Sequence, residues 1–216
     1  MKRPFVIQQR TRPLAKLAVA LACTSALAAC GDNDADRYLN NDTSREDMSL
    51  QQQWDELMKR PNIDEAKTRH DEMLRKITEK LSTDLQLPPW QQSDEVSTNT
   101  GCNDFKEVDA WDAVNLLLGG STNPVPISTD QWPQAIEVVK SVAGQHGFTA
   151  PGLEVNKGDY HELNISDSYG ASLRIIAGAG EADGKKGTIV GINTGCHLLP
   201  ESKQRGVPAN GAQPGS

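Results

Sequence analysis

Tyr160-His161-Glu162-Leu163-Asn164-Ile165-Ser166-Asp167 and Ala171-Ser172-Leu173-Arg174-Ile175-Ile176-Ala177 flank the link Ser168-Tyr169-Gly170. Apolar side chains recur at every second position on both sides of it, the period of half-buried strands, and so short a link joins strands only as an antiparallel hairpin. Thr188 to Leu199 continues the pattern after a looser turn, Asp183-Gly184-Lys185-Lys186-Gly187. Residues 160–199 therefore read as a three-stranded antiparallel meander. Gly178-x-Gly180 followed by Gly184 is no dinucleotide loop, because the spacing is wrong and a strand rather than a helix follows.

Working outward, Trp132, Ala135, Ile136, Val139, Val142 and Ala143 form one helical stripe. Proline lacks an amide hydrogen and is tolerated only in the first turn, so Pro133 is expected at the third position behind Asp130 as N-cap. Gly147 supplies a left-handed stop, and His146 in the last turn lies where a helix C-terminus favours its charged form. Upstream, Trp111 to Leu118 reads as a strand broken by Gly119 to Pro124, and Trp90 to Val96 as a short strand followed by a turn over Ser97 to Gly101. Ala66, His70, Met73, Leu74, Ile77, Leu81 and Leu85 share one face of a helix running from Asp64 to about Leu85, with Asn62 and Glu65 as a capping pair and Pro88-Pro89 beyond its end. Leu50, Trp54, Leu57 and Met58 leave a further short helix open, limited by Pro61. The sum is an α+β fold: an antiparallel sheet of about five strands with two main helices packed on it, in one domain over residues 50–200. The Pro, Gly, Ala and Gln composition of residues 201–216 reads as a disordered tail.

The amino terminus has a different character. Lys2, Arg3, Arg10, Arg12 and Lys16 precede an apolar run from Leu17 to Leu27 too short to span a bilayer, and small residues follow. Residues 1–29 read as a secretory signal peptide. Leu27-Ala28-Ala29-Cys30 resembles the lipobox of bacterial lipoproteins, which implies a diacylglycerol on the Cys30 sulfur, cleavage before it and acylation of the new amino terminus. Residues 30–49 are too polar to offset their ordering entropy and read as a lipidated Cys on a flexible tether. Asp32, Asp34 and Asp36 have calcium-loop spacing, but Arg37 and Thr43 stand where such a loop needs Gly and Glu.

Formal charge is −7 for the whole chain and becomes −12 without residues 1–29, with 17 basic against 29 acidic side chains. That balance disfavours nucleic acid and anionic headgroups as partners, so membrane attachment rests on the lipid of Cys30. Four Cys are present. Cys23 leaves with the signal and Cys30 takes lipid. Cys102 and Cys196 read as one disulfide of an exported protein. Two free thiols or half a metal site are the other readings.

Candidate chemistry is sparse. No G-x-S-x-G or H-E-x-x-H occurs. Asp159-Tyr160-His161-Glu162 is the first cluster to inspect for an envelope hydrolase, although neighbours in a strand point to opposite faces. His161 and His197 would form a metal site if their strands lay side by side. His70 reads as a histidine at the edge of an apolar face.

Gly101-Cys102-Asn103-Asp104, Ile127-Ser128-Thr129-Asp130-Gln131-Trp132 leading into Ala135-Ile136-Glu137-Val138-Val139, His146-Gly147-Phe148, Tyr169-Gly170 and Gly195-Cys196-His197-Leu198-Leu199, in this order of helices and strands, resemble the LppA-type lipoproteins of mycobacteria and related actinobacteria over roughly residues 60 to 200. The resemblance implies an exported, lipid-anchored domain with a Cys102 to Cys196 bridge. It brings no reaction and no catalytic residues. The expectation is a lipid-anchored lipoprotein on the extracytoplasmic face of the cell membrane. Its domain is expected to bind an envelope lipid, protein or wall component, an apolar ligand fitting between helices and sheet if the helix pair stands off the sheet, and to be neither an enzyme nor dependent on a cofactor.

Overall fold

In the computed structural model, which describes residues 48–100, 102–180 and 186–208, the first helix, α1 (Leu50–Lys59), forms because Ser49 and Gln52 close a reciprocal capping box. It stops before Pro61, which bars the helical conformation from the residue ahead of it. The next helix, α2 (Ile63–Leu85), opens on the expected Asn62–Glu65 box, both bonds being 2.9 Å. All seven residues of its apolar stripe are buried. The opposite face carries the i,i+4 pairs Lys67–Asp71, Glu72–Lys76, Arg75–Glu79 and Lys80–Asp84. Gln86, in the left-handed region at φ 56°, ends it ahead of the two prolines.

Seven antiparallel strands follow among the described residues: β1 (Gln91–Gln92), β2 (Val96–Thr100), β3 (Ala113–Asn123), β4 (Ala150–Lys157), β5 (Tyr160–Ser166), β6 (Ser172–Gly180) and β7 (Lys186–Leu198). Their order is β1-β3-β7-β6-β5-β4, with β2 also on the free edge of β3. The meander is β5-β6-β7, and Asp167 N donates to Ala171 O across its first turn.

Several expectations are corrected. Residues 97–100 are not a turn: Val96–Thr100 is a strand paired with Val114–Leu118, and upstream of it only Gln91–Gln92 pairs among the described residues, Gly101 lying outside them. Gly119 to Asn123 does not break the next strand but continues it through a bulge. A Cβ on Gly119 would lie 2.3 Å from the Glu95 carbonyl oxygen, so glycine serves close approach of the β1–β2 connection here rather than a turn. Trp111 precedes β3, in a turn. The strand β4 went unread because Pro151 and Gly152 hide it, and it is an exposed edge held only by β5. The third helix, α3 (Trp132–Gln145), begins one residue later than expected, with Pro133 in its first turn and Gln131 rather than Asp130 at the cap position. Ser128 prepares it instead, its carbonyl accepting the amides of Gln131 and Trp132. The carboxyl end is no tail as far as it is described: Pro200–Arg205 is a short helix, α4. Residues 209–216, the expected signal peptide over residues 1–29, Cys30 and the Asp32–Asp36 stretch lie outside the described residues.

Two cores result. The larger lies between α2, α3 and one face of the sheet. Met73, Ile77, Leu81, Val139 and Ala143 meet Leu118, Leu163, Leu173, Ile175, Val190 and Ile192, all nearly inaccessible to solvent. The smaller surrounds the disulfide Cys102–Cys196, whose Cα atoms are 5.8 Å apart, and contains Trp54, Leu57, Phe105, Val108, Ala113 and Leu198.

Candidate functional site

Because β5 alternates, His161 faces α3 and Glu162 faces away from the helices, as expected for neighbours in a strand. The two do not share a site. Glu162 accepts hydrogen bonds from Arg174 Nε at 2.7 Å and from Tyr160 Oη at 2.5 Å. These two side chains, lying over it on the open face, shield the carboxylate. The guanidinium bond first, then the phenol, holds its pKa below the ordinary carboxylate value.

On the other face His161 is fully buried and stacked on Trp132, with ring centroids 5.2 Å apart and planes at 20°. Its Nε2 lies 3.2 Å from Thr129 Oγ1, which in turn lies 3.2 Å from the Gly158 carbonyl oxygen. Thr129 has one hydroxyl hydrogen, and the carbonyl can only accept it. Nε2 must then carry the imidazole hydrogen and donate to Thr129. This tautomer leaves Nδ1 as a bare acceptor, and that atom has no hydrogen-bond partner among the described residues. In this wiring Nε2 already holds the hydrogen it would have to take from Thr129.

Above this pair the loop 126–130, the β4–β5 turn and the start of β7 enclose a cleft of about 350 Å³. Pro126 and Ile127 contribute apolar surface. Ser128, Thr129, Asp130, Asp159 and Lys186 offer hydroxyl, carboxylate and ammonium groups, with Lys186 3.4 Å from Asp159. Such a lining presents hydrogen-bond donors and acceptors beside apolar surface. A second groove, of about 420 Å³, runs between α2 and the β1–β2 connection. Its charged residues Lys67, Asp71, Glu72 and Arg75 are paired along the helix.

The remaining histidines are structural. His197 is buried, with Nδ1 2.9 Å from the Pro61 carbonyl and Nε2 2.9 Å from that of Thr194. Burial lowers its pKa against the pull of those two oxygens. The metal site that would follow if the strands of His161 and His197 lay side by side does not form. The strand β6 separates β5 from β7, and from Thr188, level with His161, to His197 is about 30 Å along β7. Among the described residues no group of three or more His, Cys, Asp or Glu is placed to hold a metal ion. His70 is buried against the edge of the Phe148 ring, and its pKa falls to about 4 through burial first and the charge of His197 second. For His146 the expectation reverses: partial burial first and nearby Lys76 second lower its pKa, against the pull of Glu72. The space between helices and sheet is filled by the larger core, so an apolar ligand has no place there.

The family model whose description reads "Lipoprotein confined to pathogenic Mycobacterium" matches residues 39–200. The chain belongs to the LppA family. No curated protein matches it. Among solved structures, the crystal structure of LppA from Mycobacterium tuberculosis is similar, at 15% identity and a TM-score of 0.56 over 84% of this chain and 99% of that one. That likeness extends to the fold. Thr129 and Trp132 were read from sequence only as parts of a helix start. Their role beside His161 had no local signal, since Thr129 and His161 are 32 residues apart and meet through the sheet.

Proposed function

We propose that this LppA-family protein is a lipoprotein held at the outer face of the cytoplasmic membrane by a diacylglycerol on Cys30, and that its domain binds an envelope component rather than catalysing a reaction. What carries the reading is Leu27-Ala28-Ala29-Cys30 standing ahead of a domain of a lipoprotein family. No helix among the described residues is long and apolar enough to cross a membrane, so attachment is assigned to the lipid. The non-catalytic half is supported by the hydrogen placement on His161 and by the polar cleft above Thr129, which is the surface assigned to the ligand. Native mass spectrometry of the protein extracted gently from its membrane tests both halves. Acyl mass on Cys30, together with a further mass that leaves on denaturation and is absent from an Asp130→Ala, Asp159→Ala variant, is the expected result. An unmodified Cys30 overturns the anchor, and a co-purifying mass that is retained in the cleft variant overturns the assignment of the cleft.

A further inference from the structure

We infer that Trp111 is a second membrane contact, set into the bilayer interface beside the point where the anchored chain enters the domain; this rests on lipidation of Cys30. Of the four tryptophans, Trp54 and Trp132 are buried and Trp90 is partly covered, whereas Trp111 is 75% exposed. The exposure is built. Asp109 turns the chain, its carbonyl accepting the amide of Asp112 at 2.9 Å and its carboxylate that of Trp111 at 2.9 Å. On the other side Asp112 is 2% exposed and accepts hydrogen bonds from Ser202 Oγ and Arg205. Both flanking carboxylates are therefore engaged within the protein, and the protruding group of the turn is a neutral indole with an apolar body and one N–H, the chemistry that settles at membrane interfaces.

Position supplies the partner. Gln53 bridges the two regions, donating to the Met48 carbonyl at 2.9 Å and accepting from the Glu107 amide at 3.0 Å. Trp111 follows Glu107 by four positions, so the indole-bearing backbone lies within about 15 Å of that bridge. Only 17 residues stand between Cys30 and Met48, a reach of at most about 60 Å. A chain of that length keeps the domain at an effective concentration on the order of millimolar near the bilayer, where one weakly inserting side chain is enough to fix which end faces the lipid.

The test uses the full lipidated chain in phosphatidylcholine vesicles and in vesicles of the same lipid brominated on its acyl chains. Flotation with both vesicles, a drop in tryptophan emission in the brominated ones, and loss of that drop in Trp111→Phe and Trp111→Ala are expected. Flotation with equal emission in both vesicles overturns the inference and leaves the anchor standing. A drop that persists in both variants overturns it as well. Failure to float removes the lipid anchor, and the inference with it.

Discussion

Acid should unfold this domain through His70. The side chain is buried against Phe148, its Nδ1 has no hydrogen-bond partner among the described residues, and its pKa in the fold is about 4 against an ordinary value of 6.5. The folded state therefore resists a proton that the unfolded chain accepts. Stability is full above pH 6.5, declines as pH falls between 6.5 and about 4, and levels off below, where both states are protonated. At about 1.4 kcal/mol per pKa unit, the interval amounts to about 3 kcal/mol. Replacing His70 with Leu, which keeps an apolar side chain beside Phe148, removes the titration. Urea unfolding of both proteins at pH 7, 6, 5 and 4.5 separates this histidine from His197 and His146, whose lowered values act in the same direction and persist in the variant. The free energy of the variant is expected to fall less than that of the parent by about 2 to 3 kcal/mol across the range. Parallel curves would refute the argument that burial of His70 opposes its charge.

Asp112→Asn weakens the acceptor of Ser202 and Arg205 in a buried position, and a loss of about 1.5 to 3 kcal/mol is expected, with trypsin cutting sooner after Lys203 or Arg205. Thr129→Val removes the hydroxyl that links Gly158 to His161. Thermal unfolding should show a cost of about 1 to 3 kcal/mol, and a change below about 0.5 kcal/mol would mean the link is idle. Replacing Cys102 and Cys196 together with Ser opens a cross-link spanning 94 residues. Up to about 4 to 5 kcal/mol is lost in the chain-entropy limit, with hydrogen exchange quickening first in α1, while vesicle flotation is unchanged.

How far the sequence could be read followed the range of the interactions involved. The α2 stripe, the Asn62–Glu65 box and the β5–β6 turn are local patterns, and each appears as expected. The misreadings occur where a distant partner decides. Gly119 looks like a strand breaker until the carbonyl of Glu95 is placed against it. Pro200–Arg205 looks like the start of a tail until Asp112, 90 and 93 residues earlier, takes up Ser202 and Arg205. The edge strand β4 has no buried stripe to announce it, and only β5 gives it a register. The same limit explains the site. His161 stood out from the sequence as a titratable residue, but its hydrogen placement depends on Thr129 and Gly158, which the tertiary fold brings together.

The small core explains why loss of the disulfide should loosen α1 before α2. Whatever reaches the domain from the chain ahead of it enters through Met48 and meets α1 first. That helix is absent from the large core and is held by Trp54 and Leu57 in the cluster around the disulfide. At its end Arg60, almost wholly buried, donates to the carbonyls of Tyr169 and Cys196, pairs with Glu56, and lies 4.7 Å from the centre of the Phe105 ring. Phe105 follows Cys102 by three residues, and Cys196 lies in β7, between β3 and β6 in the sheet. The bridge thus joins the two sides of the seat that Arg60 occupies. Opening it frees Phe105 from β7 and weakens the grip on α1, whereas α2 keeps its own contacts with α3 and the sheet. The disulfide therefore acts where the amino-terminal segment is joined to the fold, and its local effect there exceeds what loop closure alone predicts.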